Sequence, residues 1–342
     1  MSALACLGRH TVTGMLAASA QQFVDWSAAY RLFAKERFDP EALFGVVRRE
    51  AVALLPKELP FVASVDDTLL KKRGRKVPGA AWRLDRTGPH FHPNFVWSQR
   101  YLQVACALPE DGLVSRARAV PVEMVHCPTP ARPRKDATDE ERKAYERERK
   151  RLRISRVAAE RIHALRTALD HEGEPERPLL VCVDGGYTNA TVLKDLPERT
   201  SLIGRIRKDA KLFRPPEEGV GAAKGRPRVY GQALPTPEQL RQDPALPWQT
   251  VRAHAAGKTH DFEVKVVSPV RWRAAGNNNL TLVIIRPLAY RPSRGSRLLY
   301  REPAYLISTQ ENLDLALLLQ AYLWRWEIEV AFRDEKQLLG LG

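Results

Sequence analysis

The sequence predicts an α/β fold in which an antiparallel meander of strands leads into parallel strands, with a helical region in front and a β-rich insertion before a last helix. Three observations predict it. Strand-like runs lie at FVASVDD (61–67), WSQRYLQVACAL (97–108) and AVPVEMVH (119–126). Two later runs of the same kind, LLVCVD (179–184) and SLIGRIRKD (201–209), are each preceded by a helical stretch. A Rossmann arrangement would open with a strand, a Gly-rich turn and a helix, and no GxGxxG follows the first strand.

The elements follow in chain order. Residues 11–55 place apolar side chains at three- and four-residue spacing (Met15, Leu16, Phe23, Trp26, Tyr30, Leu32, Phe33, then Leu43, Phe44 and Val47), which predicts a small helical unit closed by Pro56 and Pro60. A basic, Gly-containing loop, KKRGRKVPG (71–79), follows the first strand. The stretch 134–155 alternates charges, as in DEERKAYERERKRLR, and predicts a solvated helix face running on into a helix through Leu165 and Leu169. GGYTNATVLKDL, after the strand at 179–184, reads as a turn and a helix. Residues 214–304 are rich in Pro, Gly, Arg and β-branched residues and predict a separate β-rich insertion. From Ser308 onward the pattern is helical: Ser308-x-x-Glu311 fits a capping box, and no Gly or Pro occurs until Gly340. The resulting organisation is a helical region at 1–58, a first core part at 59–213, the insertion at 214–304 and a final core helix at 305–342.

Composition narrows the function. Hydrophobic residues make up 44% of the chain, which excludes wholesale disorder. The 55 Lys and Arg outnumber the 40 Asp and Glu, for a net charge of +15. A surplus of that size points to a polyanionic partner, because neutralising phosphates releases counterions. Cys6, Cys106, Cys127 and Cys182 lack zinc-pair spacing and read as isolated core thiols of a reducing cytoplasm. His90, His92, His126 and Cys127 read as scattered polar residues at strand ends rather than metal ligands. The N-terminus has neither the apolar core nor the basic lead of a signal peptide, and the apolar run LALLLQAYLW (315–324) is too short to span a bilayer. A cytoplasmic protein is expected.

Three acidic positions stand out by context: Asp66 with Asp67 beside it, Asp184 followed by Gly185 and Gly186, and Glu329 in the last helix. Apolar strands hold side chains rigidly, so a carboxylate at a strand end is well placed to hold a metal, although such acids also serve as turn formers. Magnesium takes oxygen ligands, few of them from protein, and two such ions about 3.5–4 Å apart serve phosphoryl transfer. At about 100° per residue, Tyr322, Arg325, Glu329 and Lys336 fall within a face about 60° wide, and Arg333 extends it, while Glu327 lies on roughly the opposite side. Trp324, Trp326, Ile328, Val330 and Phe332 make the rest of this helix apolar, which turns the polar stripe toward a cleft.

These residues carry a resemblance. YLWRWEIEVAFRDEK (322–336) resembles the Y-R-E-K signature of a large group of bacterial insertion-sequence transposases of the DDE class, with the spacing Y-x2-R-x3-E-x6-K met without a gap. VDGGY (183–187) resembles that group's second-aspartate motif and VDDT (65–68) its first, and the three occur in the family's order between about Arg9 and the end. The resemblance implies a ribonuclease-H-like core with a β-rich insertion before the glutamate helix. It implies metal-dependent cleavage and strand transfer at insertion-sequence ends, with Asp66, Asp184 and Glu329 as the catalytic ligands of two Mg2+ ions for which Mn2+ substitutes. Asp67 stays open as an alternative to Asp66, which the Asp-x-Thr spacing to Thr68 favours. Tyr322, Arg325 and Lys336 are assigned to DNA phosphates, and Arg333, Arg205, Arg207 and Lys208 are further candidates for DNA contact. The implied partners are double-stranded DNA, both terminal inverted repeats and target, and a second copy of the chain in a homodimeric complex, with no membrane. Family members usually run well beyond the lysine, whereas this sequence stops at Gly342, so a truncated chain is expected. A catalytically inactive DNA-binding relative that represses transposition, or a metal nuclease of the same fold acting in repair, are the alternatives.

Overall fold

The computed structural model describes residues 2–7, 10–35, 37–85, 88, 91–217, 228–291, 293 and 295–340. His90 and Arg9 lie outside them. The chain opens with four helices, α1 (Ser2–Ala5), α2 (Val12–Ala18), α3 (Ser27–Ala34) and α4 (Pro40–Leu54). The Asp39 carboxylate caps α4 by accepting from the Glu41 amide at 2.9 Å, and Pro40, with no amide hydrogen to orphan, fills the first turn. Then come β1 (Phe61–Lys71), β2 (Ala81–Leu84), β3 (Phe95–Pro109) and β4 (Ala117–His126). Helices α5 (Asp139–Arg151) and α6 (Ile154–His171) lead to β5 (Leu179–Val183), α7 (Ala190–Leu193) and β6 (Thr200–Arg205). The insertion holds β7 (Leu212–Phe213), α8 (Pro237–Gln242), β8 (Gln249–Ala255), β9 (Lys258–Trp272), β10 (Asn279–Ile285), β11 (Ala289–Tyr290) and β12 (Leu299–Tyr300). The chain closes on β13 (Ala304–Ser308), α9 (Leu315–Trp324) and α10 (Glu327–Leu338).

The pairings are those of the expected ribonuclease-H-like core. β4, β3 and β1 form the antiparallel meander, and β1, β5 and β6 run parallel. The insertion is β-rich as expected, but its strands do not stand apart. β13 pairs antiparallel with β6, and β10, β9 and β7 continue outward in the same sheet. Left open, the edge of β6 would present a row of unmet amides and carbonyls, and β13 covers it.

Several boundaries differ from the sequence expectation. The first strand does not stop at its two acids but runs on to Lys71, because β3 pairs with it along that whole length. β2, with only four residues and an alternating exposure, was hidden by the basic loop before it. Ser308 starts no helix: it ends β13, fully buried, and the helix begins seven residues later with the Asp314 carboxylate accepting from the Leu317 amide at 2.8 Å. AYLIS is apolar enough to be buried in either state, and its pairing with β6 and β10 decides for strand. Helix α5 is solvated, with no buried residue, and Thr138 and Glu141 form its capping box. All four cysteines are buried and none forms a disulfide. No helix among the described residues is long and apolar enough to cross a membrane.

Strand alternation sorts the core into two layers. On β1 and β5 the odd-numbered residues Phe61, Ala63, Val65, Leu179, Val181 and Val183 pack with α4, α6 and α7. The even-numbered Val62, Leu180 and Cys182 pack with α9. Two buried polar anchors fix α9 on its layer. The Gln320 amide accepts from the His254 backbone at 2.7 Å and donates to the His254 carbonyl at 3.1 Å, satisfying the edge of β8, and the Trp324 indole donates to the Ser115 carbonyl at 2.8 Å. Gln320→Leu leaves that buried amide and carbonyl unmet, so it is expected to lower unfolding stability by about 2 kcal/mol in urea titrations.

Candidate active site

The parallel pairing of β1 with β5 sets the site. Val65 lies opposite Val183, the last pair of that ladder. Asp66 and Asp184 are the next residues on the two strands, both at even positions, so both face the layer of α9 and α10. Beyond Val183 the chain turns away. The Asp184 Oδ1 accepts from the Gly186 amide at 2.8 Å and the Tyr187 amide at 3.3 Å, and its carbonyl accepts from the Thr188 hydroxyl at 2.7 Å. Asp184 is therefore also a turn former, through one carboxylate oxygen. Asp67 points the other way. Its carboxylate accepts from the Tyr187 hydroxyl at 2.5 Å on the layer of α6, with Tyr187 only 3% exposed. That bond raises the Tyr187 hydroxyl's pKa well above the usual phenol range, after burial itself as the larger cause.

The last helix is not continuous. α9 ends at Trp324 and α10 starts at Glu327, with Arg325 and Trp326 forming a tight turn between them. Both keep right-handed helical dihedrals, but the ladder here shortens to i→i−3 bonds: Arg325 to Tyr322 at 3.2 Å, Trp326 to Leu323 at 3.3 Å, Ile328 to Arg325 at 3.2 Å and Glu329 to Trp326 at 3.0 Å. The expectation of one unbroken helix is corrected, and the reason is packing: α9 belongs to the layer over β5 and β8, while Ile328 and Phe332 of α10 pack on Ala105 and Ala119 of the meander. Tyr322, Arg325 and Glu329 nevertheless stay together. The Arg325 guanidinium lies over the Tyr322 ring at 5.7 Å, reaches Glu329 Oε1 at 3.3 Å through Nη2 and Asp66 Oδ2 at 3.8 Å through Nη1.

A sequence profile described as DDE superfamily endonuclease matches residues 1–278, a span that includes Asp66 and Asp184. The chain belongs to that family. No curated protein matches it.

In this DDE chain the Asp66 carboxylate is largely buried and that of Glu329 is half-open to solvent. The Asp66 carboxyl is pushed up to about 7, first by burial and then by the facing Asp184, against the pull of Arg325. Burial also raises Glu329, again against Arg325. Among the described residues no three His, Cys, Asp or Glu side chains stand close enough together to hold a metal ion. The Arg325 guanidinium stands between Asp66 and Glu329, a cation already in the place where their charges meet. The donors are all carboxylate oxygens, the type that a hard divalent cation takes.

The remaining sequence candidates are not at the carboxylates. Arg205, exposed at the end of β6, lies near enough to Tyr322 to lower its phenol's pKa against the larger, raising effect of burial. Arg207 and Lys208 lie past β6 rather than on it, exposed, and Arg207 is paired with Asp209 at 2.9 Å. Arg333 is paired with Asp334 at 3.0 Å, and Lys336 faces Asp85 and Lys71. Past the turn at Arg325, the polar stripe leads away along α10. His126 stacks on Tyr101 at 5.0 Å, Cys127 is fully buried and His92 is exposed. Sequence reasoning missed Gln103, which is fully buried opposite Asp66 on β3 and lies against Glu335 of α10. A lone amide within the apolar run YLQVACAL was its signal.

Proposed function

We propose that the protein is a DNA transposase that cuts and joins DNA at the ends of an insertion sequence, with Asp66, Asp184 and Glu329 as its metal-holding carboxylates. The observation that carries this reading is the Val65–Val183 register, which sets Asp66 beside Asp184 under the turn that delivers Arg325 and Glu329. Magnesium, when bound, supplies Lewis-acid activation of the attacking oxygen and charge stabilisation for the leaving one.

The chain's own residues do the rest. The apolar layer over β1 and β5 packs beside the carboxylates and leaves Glu329 half-open to solvent, where DNA can approach. Arg325, freed from Asp66 and Glu329, offers a planar pair of donors to a phosphate, and Tyr322 beneath it holds that fork in plane. Water attacks the phosphodiester at the element's end, leaving a 3′-hydroxyl on one strand and a 5′-phosphate on the flank. The same hydroxyl then attacks a phosphodiester of target DNA in line, forming the new bond as the target's own 3′ oxygen leaves. Two ends must be cut and joined together, so a homodimer on double-stranded DNA is the working assembly.

The test is incubation of the protein with DNA carrying the inverted repeat that flanks its gene, in magnesium and then in manganese. Cleavage at the repeat is expected. Binding to the repeat without cleavage in either metal would favour the inactive, repressing relative, and cleavage indifferent to the repeat would favour a nuclease acting in repair. Duplex binding should also weaken steeply with salt, and Arg325→Ala should lower the slope of log affinity against log salt by about one. An unchanged slope would remove Arg325 from the phosphate contacts.

A further inference from the structure

Resting on the DNA-cleaving reading, we propose that the loop at 71–76 and Trp82 form a second DNA-contact surface, which grips the duplex beside the cleavage point and stacks an unpaired base. The loop KKRGRK carries five cations in six residues. Lys71 is engaged with Asp85 at 3.3 Å. Arg73, Arg75 and Lys76 are exposed and, among the described residues, make no ion pair and no side-chain hydrogen bond. Three unpaired cations so close together repel one another, a cost that a polyanion reverses.

The loop is pinned rather than draped. The Lys72 amide donates to the Trp97 carbonyl at 2.9 Å, the Trp97 indole to the Gly74 carbonyl at 3.0 Å, and the Gln99 side-chain amide to the Pro78 carbonyl at 2.8 Å. Gly79 closes it with φ +69°, where an added Cβ would meet the His126 ring at 2.4 Å. A backbone already fixed leaves only side-chain freedom to be lost when the cations meet phosphates.

The register puts the two tryptophans of this surface on the site's own face of the sheet, and the loop leaves β1 beside them at Lys71, opposite Ser98. Asp66 lies opposite Gln103, Thr68 opposite Tyr101 and Leu70 opposite Gln99, so Trp97 is the next side chain on that face of β3. Trp82 is its cross-strand partner on β2, with ring centroids 5.9 Å apart and edge-on packing. Trp82 is 67% exposed, and the next pair on that face, Leu84 and Phe95, is exposed as well. Lys71 is five residues past Asp66 on one strand, about 16 Å away, which is the rise of roughly five base pairs. Lys336, at the far end of α10, faces Lys71 and Asp85 and so belongs to this surface rather than to the carboxylates. A basic strip with an exposed indole suits nucleic acid whose end is unpaired, since bases inside a duplex have no free face to stack.

The experiment measures binding by fluorescence anisotropy, in calcium, to a short blunt duplex of arbitrary sequence and to the same duplex ending in a single-stranded overhang. Wild type is expected to favour the overhang. Arg73→Ala/Arg75→Ala/Lys76→Ala should weaken both by about ten-fold or more at low salt and reduce the salt slope by about two to three. Trp82→Ala should keep blunt-duplex affinity and lose about a ten-fold preference for the overhang, and Trp82→Phe should retain it. Thermal melts matching wild type check that these surface variants fold. Unchanged affinity and slope in the triple variant, or an overhang preference indifferent to Trp82→Ala, overturns the proposal while wild-type cleavage of the element's ends leaves the transposase reading intact. Wild type that binds neither duplex overturns both.

Discussion

Glu329→Gln is expected to lower metal-dependent cleavage by about a hundred-fold or more while leaving affinity for the element's end within about two-fold. Glutamine keeps the length of the side chain and an oxygen for Arg325, but it removes the negative charge that a divalent ligand needs. Its place at the start of α10, 3.3 Å from the Arg325 guanidinium that also reaches Asp66, is what supports the proposed metal-holding role over a phosphate contact. Glu327→Gln is the internal control, two residues earlier on the same helix and without a counterpart at Asp66 or Asp184. It should cut at wild-type rate. Gel assays of end cleavage beside anisotropy of the uncut duplex separate the two effects. A Glu327→Gln protein that fails to cut, with Glu329→Gln active, would place the wrong residue at the metal.

Asp66→Asn is expected to stabilise the metal-free protein, and to do so in a pH-dependent way. The folded carboxyl is held at about 7 against 3.8 in the unfolded chain, because it is buried and faces Asp184. Below pH 4 both states are protonated and nothing is lost. As pH rises from about 4 to about 7 the unfolded state releases the proton first, so stability falls across that window and is level above it. A shift of this size corresponds to roughly 4 kcal/mol on an order-of-magnitude reckoning. The asparagine variant carries no charge to strand, so its advantage over wild type should be small at pH 4 and near its full size at pH 8. Magnesium at pH 8 should narrow the gap, because the cation binds folded wild type and not the variant. Urea midpoints measured across pH with and without magnesium decide it. A variant less stable than wild type at pH 8 would mean that the Asp66 charge is compensated in the fold, with Arg325 bearing more of it than burial removes.

The two results together separate a carboxylate that is only a turn former from one that is stored under strain for a ligand. Asp184 is a turn former through one oxygen, which accepts from the Gly186 and Tyr187 amides, and its other oxygen is the one proposed for the metal. Asp67, adjacent in sequence to Asp66, is neither. Its bond to Tyr187 ties β1 to the turn after β5 from the opposite layer, which steadies the same junction from behind.

Element types were legible because they rest on local periodicity. The meander, the buried strand at LLVCV and the solvated α5 each follow from spacings within a dozen residues, and chain order alone was enough for the core's class. Asp66, Asp184 and Glu329 stand out in the sequence by their apolar context and by motif spacing, and their metal-holding role is a proposal that starts from those two signals. What the sequence could not decide was every relation between distant segments. The Val65–Val183 register is a pairing across more than a hundred residues, and it alone brings the two aspartates together. The strand AYLIS and the supposed helix start at Ser308 are locally ambiguous, and the open edge of β6 resolves them. The turn at Arg325 and Trp326 has no helix breaker in it. It exists because α9 and α10 lie on different parts of the same sheet, and burying both apolar faces is worth more than a few unstrained i→i−4 bonds. That competition between long-range burial and local ladder, invisible to periodicity, set Arg325 between Asp66 and Glu329 and sent Lys336 to the basic loop.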